Sequence, residues 1–336
     1  MNKQMLREVK VEEAVGAILP HDLTQILPGQ FKGRLFKKGH RITEEDIPAL
    51  LSIGKEHIYV MEPEAGYLHE DEAALRMAAA IQDSRMSMTE PHEGKVTLRS
   101  SIHGLTHIDP DWVHKVNSIE NIVMSTLKDS VVVEPGQPVA GTRIIPLFIE
   151  ETRIEQIEET VRTYREKHGC SPVRVEPFLN LKVGLITTGS EVYKGRIQDK
   201  FGPVVRRKVA ELGSEVVEQR LAPDEADIIS RYILELADGD IDLILVTGGM
   251  SVDPDDRTPG AIRQTGARVV NYGTPMLPGS MLMMAYLGDV PVMGLPGCVM
   301  HDPYTSFDVL LPRICAGRVI RREEITGLGY GGLQGC

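Results

Sequence analysis

The stretch LILVTGGMSVDPDDRTPGAI (residues 243–262) indicates how part of this chain folds. It opens with an apolar run typical of a strand buried on both faces of a sheet. Gly248 and Gly249 follow, and a glycine pair lets another group approach the backbone closely. Thr258 is a candidate N-cap, and Pro259 suits the first position of a helix. The stretch therefore predicts a buried strand, a loop open to a ligand, and a helix.

The same alternation of strand and helix extends to both sides of this stretch. Apolar strands such as LKVGLITTG (181–189) and VPVMGLPG (290–297) alternate with amphipathic helices such as DEADIISRYILELA (224–237). This pattern predicts an α/β domain over residues 176–320, with a mostly parallel sheet covered by helices on both faces. In such domains ligands bind beyond the carboxyl ends of the strands, where the glycine-rich loops fall.

The chain before residue 176 has a different character and predicts a β-rich α+β region. Two segments with a PGQ turn, at 26–42 and 131–149, predict β-ribbons of one small unit. Within the segment between them, GKVTLRSSIHGLTHI (94–108) predicts a hairpin, and PDWVHKVNSIENIVMSTL (110–127) predicts an amphipathic helix. The expected division of the chain is a β-rich domain (1–66 with 129–150), an inserted α+β segment (67–128), a linker helix (151–175) stopped by Gly169, the α/β domain (176–320) and a tail (321–336).

Composition excludes several classes of protein. The formal net charge is −11, and no long basic stripe is present, so a general nucleic-acid binder is not expected. The four cysteines form no CxxC pair, which argues against a zinc site or a disulfide framework and for a reducing cytosol. No run approaches the roughly 20 apolar residues of a membrane span. We therefore expect a cytoplasmic protein that does not associate with a membrane.

Two loops of the α/β domain combine small residues with carboxylates. In TTGSEVYKGRIQD (187–199), residues Thr188, Gly189 and Ser190 offer hydroxyls and backbone N–H groups that could hold an oxyanion, with Glu191 at the edge. An ordinary strand–helix turn explains that loop equally well. In LAPDEAD (221–227), Asp224 follows a strand, and taken alone it is best interpreted as a helix N-cap.

Three aspartates, Asp253, Asp255 and Asp256, crowd the loop between Gly249 and the next helix. Carboxylates so close repel one another unless they are solvated or share a cation. A hard cation such as Mg²⁺ takes oxygen ligands and can bridge carboxylates to a phosphate. The loop therefore predicts an anion site at the glycines and a metal site at the aspartates, and a solvent-exposed acidic turn is the alternative.

Two further loops contain a Pro-Gly step at or near a strand junction. They are PMLPGSM (275–281), with Gly279 and Ser280, and GLPGCVM (294–300), with Pro296 and Gly297. Either could be a plain turn, but two in one α/β domain suggest the floor of a shared ligand site. We interpret Cys298 in the second loop as a small buried filler.

Two other metal or cofactor hypotheses are weaker. Eight of the ten histidines lie in residues 1–114, including those of HEDE (69–72) and HGLTH (103–107). They could form an N-terminal metal site, although scattered surface histidines explain them as well. A nicotinamide site of the Rossmann type is disfavoured, because no GxGxxG follows the first strand of the α/β domain.

Five motifs in order, each after a predicted strand, resemble the molybdopterin-binding domain family over roughly residues 180–318. They are TTGSE, PDE, TGGMSVDPDDRTPGAI, PGS and GLPG. The resemblance implies a three-layer α/β/α domain that binds molybdopterin, a pterin dithiolene with a phosphate that is often adenylylated.

Two branches of that family are relevant. The adenylyltransferase branch is similar in its TGG and D-x-T-P pattern, at Thr247, Gly248, Gly249, Asp256, Thr258 and Pro259, and in its proline-preceded carboxylate, Asp224. The molybdotransferase branch, which inserts molybdate into the adenylylated pterin, resembles this chain also in AVGAILPHDLT and in its β-rich N-terminal domains. The multidomain layout favours the second branch.

The resemblance implies a Mg²⁺-dependent step at a phosphoanhydride and assigns roles to residues of the four loops. The catalytic candidates are Asp224, Asp256 and Glu191, and the metal candidates are Asp253, Asp255 and Asp256. The candidates for holding pterin and phosphate are Thr188, Gly189, Ser190, Gly248, Gly249, Ser251, Thr258, Gly279, Ser280, Pro296 and Gly297.

Two departures from the molybdotransferase pattern keep another function open. Asp253 stands where that pattern usually carries glycine, and the GLPG loop continues with Cys298 and Val299 in place of Asn-Pro. A non-catalytic carrier that delivers the cofactor to a molybdoenzyme apoprotein is therefore the alternative, beside the adenylyltransferase. Relatives form dimers or trimers, so the resemblance also implies a homo-oligomer.

Overall fold

A computed structural model describes residues 6–27, 31–61, 65–251, 253 and 256–335. The chain divides into two compact units. The first comprises Met1–Ser101, Ile108–Asp129 and Pro135–Arg174, and the second comprises Ile102–His107, Ser130–Glu134 and Val175–Cys336. The finer division into five segments stays a prediction.

The strands up to residue 177 have at most seven residues, whereas the longest helix there has 18. The strands are β1 (Leu6–Lys10), β2 (Leu23–Leu27), β3 (Phe31–Phe36), β4 (His57–Met61), β5 (Tyr67–His69), β6 (Met86–Met88), β7 (Lys95–Ser100), β8 (Gly104–Ile108), β9 (Ile122–Thr126), β10 (Val132–Val133), β11 (Pro138–Ile144), β12 (Phe148–Glu150) and β13 (Val173–Pro177). The helices are α1 (Ile47–Ser52), α2 (Glu70–Ile81), α3 (Pro110–Asn117) and α4 (Glu151–His168).

The rest of the chain alternates strands with helices. The strands are β14 (Lys182–Thr188), β15 (Glu215–Ala222), β16 (Leu243–Thr247), β17 (Arg268–Tyr272), β18 (Met283–Leu287) and β19 (Val290–Leu295). The helices are α5 (Ser190–Tyr193), α6 (Phe201–Ala210), α7 (Ala226–Ala237), α8 (Thr258–Gln264), α9 (Ser306–Cys315) and α10 (Arg322–Thr326).

The second unit contains a six-stranded sheet in the order β15-β14-β16-β19-β18-β17. Strands β15, β14, β16 and β19 are parallel, and β18 is antiparallel to both of its neighbours. The predicted α/β domain with a mostly parallel sheet is confirmed. The antiparallel strand arises because β18 and β19 are joined by a tight turn at Gly288, which is too short for a crossover helix.

Successive residues of the central strands pack into two different cores. In β16, Leu243 and Leu245 belong to one buried cluster together with residues of α6 and α9. Ile244 and Val246 belong to the other, together with residues of α7 and α8. Because side chains alternate between the two faces of a strand, the two clusters lie on opposite sides of the sheet. The domain therefore has three layers, with helices on each face.

The first unit contains a four-stranded antiparallel sheet in the order β6-β7-β11-β9. Two expectations for the chain before residue 176 are wrong. Strand β7 pairs with β6 and β11, and it forms no hairpin with β8. The second PGQ segment is not a ribbon either, because β10 pairs with β8 while β11 pairs with β7 and β9. The turn signals predict local pairings, whereas β7 and β10 also pair with strands that are distant in the chain.

The helix predicted over 110–127 is right only in its first half. Helix α3 ends at Asn117, and strand β9 follows after Asn121, which has a φ of 68°. The Asn117 side chain holds the new strand, since its Nδ2 donates to the Met124 carbonyl and its Oδ1 accepts from the Met124 N–H. The β-branched residues at the start of β9 suit a strand better than a helix.

Helix α4 is confirmed, and it ends at Gly169 with a φ of 69°. Its buried residues Ile154, Ile157 and Val161 lie on one face, as the sequence periodicity predicts. Among the residues that the structure describes, no helix combines the length and the apolar character needed to cross a bilayer.

Candidate functional site

A cavity of about 480 Å³ opens in the second unit where β16 and β19 end. Three loops line it, and together they contribute Gly248, Gly249, Met250, Ser251, Asp256, Leu277, Pro278, Gly279, Ser280, Met281, Pro296, Gly297 and Cys298. Because β16 and β19 are parallel neighbours, their carboxyl ends bring the first and third loops together. The cavity therefore unites the glycine turn, Asp256 and both Pro-Gly loops that the sequence singled out.

The turn after β16 requires glycine twice. Gly248 and Gly249 have φ values of 86° and 56°, a region that favours glycine. A Cβ atom on Gly248 would lie 2.6 Å from Thr188 Oγ1 and 2.7 Å from the Thr188 carbonyl oxygen. Thr188 is held there because its Oγ1 donates to the Thr247 carbonyl at 3.0 Å. Thr188 therefore contacts and supports the glycine turn, and it does not line the cavity.

Thr258, at the start of α8, also stabilises this turn. Its Oγ1 donates to the Gly248 carbonyl at 2.7 Å, and its N–H donates to the Gly249 carbonyl at 3.1 Å. The prediction that Thr258 is the N-cap is wrong, since Thr258 is the first residue of α8 and its hydroxyl is used by the glycine turn. Arg257 precedes it as the N-cap residue, and its side chain makes no capping hydrogen bond among the described residues.

Asp256 and Asp253 close the acidic loop by two reciprocal bonds. Asp256 Oδ2 accepts from the Asp253 N–H at 3.0 Å, and the Asp256 N–H donates to the Asp253 carbonyl at 2.9 Å. Asp256 is half-buried and lines the cavity, whereas Asp253 is exposed. The third predicted metal ligand, Asp255, lies outside the described residues. Within the described residues, no group of three His, Cys, Asp or Glu side chains is placed to hold a metal ion.

Asp224 belongs to a different cluster, beyond the ends of β14 and β15. Its Oδ2 accepts from the Ser190 N–H at 2.8 Å, and its own N–H donates to Ser190 Oγ at 3.4 Å. The interpretation of Asp224 as an N-cap is therefore wrong, since α7 begins at Ala226 after Glu225 without a side-chain cap. The carboxylate instead accepts a hydrogen bond from Ser190, 34 residues earlier in the chain.

The same cluster corrects the expectation that the loop after β14 offers unused N–H groups. Gly189 N–H donates to the Ala222 carbonyl at 3.1 Å, and Ser190 N–H is taken by Asp224. Glu191 is exposed on the single turn of α5. None of these residues lines the 480 Å³ cavity. Asp199 Oδ1 accepts from the N–H groups of Phe201 and Gly202 at the start of α6, as in an ordinary strand–helix turn.

Two substitutions of Asp224 should distinguish what its hydrogen bond and its charge each contribute to stability. Asp224→Ala removes the acceptor of the Ser190 N–H, and we expect a loss of about 2 kcal/mol in the free energy of unfolding. Asp224→Asn keeps a carbonyl oxygen for that N–H, so it should lose less than about 1 kcal/mol. Urea unfolding of both variants measures the difference. Equal losses in the two variants would contradict a role based on this hydrogen bond.

The loop at residues 275–281 forms a largely apolar wall of the cavity. Leu277 is 45% exposed, and with Pro278 it lines the opening. Gly279 has a φ of 119°, and a Cβ there would lie 2.3 Å from Ser306 Oγ, which donates to the Gly279 carbonyl. Sequence reasoning found the Pro278-Gly279 step but missed Leu277, Met250 and Met281. Their proximity to the quoted motifs was the available signal.

The third loop contributes Pro296, Gly297 and Cys298. Burial, with a smaller contribution from Asp302, raises the pKa of the Cys298 thiol, so it is protonated at neutral pH and suited to packing more than to nucleophilic attack. Asp256 is the single charged side chain among the described residues of the lining. An anionic group in this cavity would therefore depend on backbone N–H donors and on a cation shared with Asp256.

The first unit has a larger cavity, of about 760 Å³, lined by both acidic and basic side chains. His69 at its wall is 4% exposed, and burial lowers its pKa, so the ring is neutral at pH 7. No trio of metal-binding side chains among the described residues supports the N-terminal metal hypothesis at HEDE or HGLTH.

Residues 184–315, which include the 480 Å³ cavity, match the model of a family described as a probable molybdopterin binding domain. Residues 184–315 belong to this domain family. The resemblance of the five motifs is thereby confirmed. Residues 8–62 match the model of a domain of unknown function.

Curated relatives match only part of this chain. A CinA-like protein of Mycobacterium marinum is 35% identical over 80 residues, which cover 24% of this chain and 19% of that protein. A CinA-like protein of a further Mycobacterium strain is 33% identical over 98 residues, which cover 29% of this chain and 23% of that protein. The chain thus spans about a fifth of the length of the curated relatives it matches.

Two solved structures are similar to the chain to different extents. The molybdopterin biosynthesis enzyme MoaB of Thermus thermophilus is 25% identical, with 41% of this chain and 98% of that chain covered, at a TM-score of 0.35. A molybdopterin biosynthesis MoeA protein of Pyrococcus horikoshii is 15% identical, with 93% of this chain and 75% of that chain covered, also at a TM-score of 0.35. The family model is the finding that identifies the domain.

Proposed function

We propose that the protein acts in molybdenum cofactor biosynthesis and binds molybdopterin, or its adenylylated form, in the 480 Å³ cavity. The observation that carries the proposal is the position of this cavity within residues 184–315, at the carboxyl ends of two parallel strands. Its lining combines a glycine turn, which allows close approach of a phosphate, with one carboxylate. The apolar wall at Leu277 and Pro278 suits the pterin ring.

Magnesium fits this site in the way it usually binds in proteins, through one or two carboxylates together with phosphate oxygens. Asp256 would provide the protein ligand, and Asp253 and Asp255 are further candidates from the same loop. When bound, the ion would neutralise charge on the phosphoanhydride. The chain itself contributes the glycine turn, held by Thr188 and Thr258, and Asp256, held by its bonds to Asp253.

The reaction that we favour is insertion of molybdate into adenylylated molybdopterin with release of AMP. Asp256 would act at the phosphoanhydride, with Asp224 and Glu191 as further candidates for the reaction. Because Asp224 holds the Ser190 N–H, we assign it a positioning role for the loop that also contains Thr188. The adenylyltransferase reaction remains the alternative that the D-x-T-P pattern at Asp256 supports.

A non-catalytic carrier is a second candidate, and one observation favours it. The third loop continues from Gly297 into Cys298 and Val299, where the molybdotransferase pattern usually has Asn-Pro. Such a protein would bind the cofactor tightly and pass it to a molybdoenzyme apoprotein. A homo-oligomer, either dimer or trimer, stays a prediction that sedimentation would measure.

Incubation of the purified protein with adenylylated molybdopterin, Mg²⁺ and molybdate distinguishes the candidates. We expect AMP release that requires both Mg²⁺ and molybdate. Tight binding without AMP release would identify a carrier, and formation of the adenylylated pterin from molybdopterin and ATP would identify an adenylyltransferase. Absence of binding to either form of molybdopterin would refute all three.

A further inference from the structure

The apolar wall of the cavity is held by a distant segment of the same unit, residues 331–334, here named the strap. Leu277 N–H donates to the Gly332 carbonyl at 2.9 Å, and Gln334 N–H donates to the Leu277 carbonyl at 2.9 Å. Leu277 and Leu333 form a parallel bridge. Both backbone polar groups of Leu277 are therefore bonded to the strap, more than 50 residues away in sequence.

The strap lies close against the wall because Gly332 has no side chain. A Cβ atom on Gly332 would lie 2.4 Å from the Pro275 carbonyl oxygen and 2.4 Å from the Leu328 carbonyl oxygen. Gly332 is buried, although its neighbours on both sides are exposed. The requirement for glycine here is therefore steric, and it arises from contact with the wall loop.

The rest of the wall is anchored separately. Thr274 N–H donates to the Ser280 carbonyl at 2.7 Å, and Ser306 Oγ donates to the Gly279 carbonyl at 2.7 Å. These bonds fix the two ends of the loop, whereas Leu277 near its middle is bonded to the strap. Strand β18 begins only at Met283, so the sheet does not hold Leu277.

We infer that the strap is a positioning element of the ligand site, which holds Leu277 and Pro278 in place as the apolar wall that the pterin ring contacts. The inference rests on the proposed function for the identity of the ligand. A wall that is ordered before the ligand arrives lowers the entropic cost of binding. Loss of the strap should therefore weaken binding of molybdopterin while the six-stranded sheet stays folded.

The test compares Gly332→Ala with Gly327→Ala. Both glycines lie in the same short stretch of the second unit, but a Cβ on Gly327 meets nothing within 4 Å, so it is the matched control. We expect Gly332→Ala to weaken molybdopterin binding about tenfold, and Gly327→Ala to change it less than about twofold. A chain ending at Tyr330 provides a second variant without the strap, and a thermal melt shows that each variant is folded.

Hydrogen exchange of the Leu277 amide is a second readout that does not depend on the ligand. Since this N–H donates to Gly332, its exchange should accelerate about tenfold or more in Gly332→Ala and in the shortened chain. Unchanged exchange in both variants would overturn the assignment of the strap. Faster exchange with unchanged molybdopterin affinity would overturn its role in the site. If the unmodified protein does not bind molybdopterin but exchange accelerates as expected, the strap holds the wall and the proposed function fails.

Discussion

Asp256→Asn should reduce Mg²⁺-dependent AMP release from adenylylated molybdopterin by about 100-fold or more, because the charge that would share the cation is lost. Asparagine keeps an oxygen that can accept the Asp253 N–H, so the loop closure at 3.0 Å can persist. We therefore expect the melting temperature to change by no more than about 2 °C. Single-turnover assays with saturating ligand measure the loss directly.

Asp238→Asn is the matched control for this charge change. Asp238 is an exposed carboxylate at the end of α7 in the same unit and lies outside the lining of the cavity. It should leave AMP release within about twofold of the unmodified protein. If the protein is a carrier, the same comparison applies to the affinity for molybdopterin, which should lose its dependence on Mg²⁺ only in Asp256→Asn. Equal behaviour of the two variants would remove Asp256 from the site.

Gly248→Ala should destabilise the protein and abolish ligand binding together. The φ of 86° costs a residue with a Cβ about 1–2 kcal/mol, and the overlap with Thr188 adds a packing cost of about 1–3 kcal/mol. A total of about 3 kcal/mol corresponds to a drop in melting temperature of roughly 6–12 °C. Calorimetry and molybdopterin binding on the same preparation measure both effects.

Gly266→Ala isolates the backbone part of that effect. Gly266 has a φ of 82°, but a Cβ there meets nothing within 4 Å. Its substitution should therefore lower the free energy of unfolding by only about 1–2 kcal/mol, the cost of a positive φ for a residue with a Cβ, and leave binding intact. If Gly248→Ala is no more destabilising than Gly266→Ala, the close approach of Thr188 to the turn is not a constraint on the site.

The sequence was most informative where structure depends on neighbours in the chain. The apolar run at 243–247 and the glycines at 248 and 249 have local signatures, since burial of both faces of a strand requires continuous apolar residues and a positive φ favours glycine. The end of α4 at Gly169 was predictable for the same reason. These local patterns also carried the family resemblance, because each motif follows a strand.

The sequence predicted which loops form the candidate site, but it did not predict which of their side chains face the cavity. Parallel strands place their carboxyl ends at one edge, so the meeting of the loops after β16 and β19 followed from the fold class. Which side chains face the cavity did not follow. Asp224 and Asp256 resemble each other in sequence as loop carboxylates, yet one bonds to Ser190 and the other lines the cavity.

By itself, the sequence determined the class of the second unit, the positions of its glycine turns and the family of residues 184–315. Only the tertiary structure decided the partners of β7, β10 and β11, the change from helix to strand after Asn117, and the bonds that join Leu277 to residues 331–334. The physical reason is the distance along the chain over which each interaction is determined. Backbone conformation and apolar periodicity are set within a few residues, whereas a hydrogen-bond partner is chosen by the packing of segments that are distant in the chain.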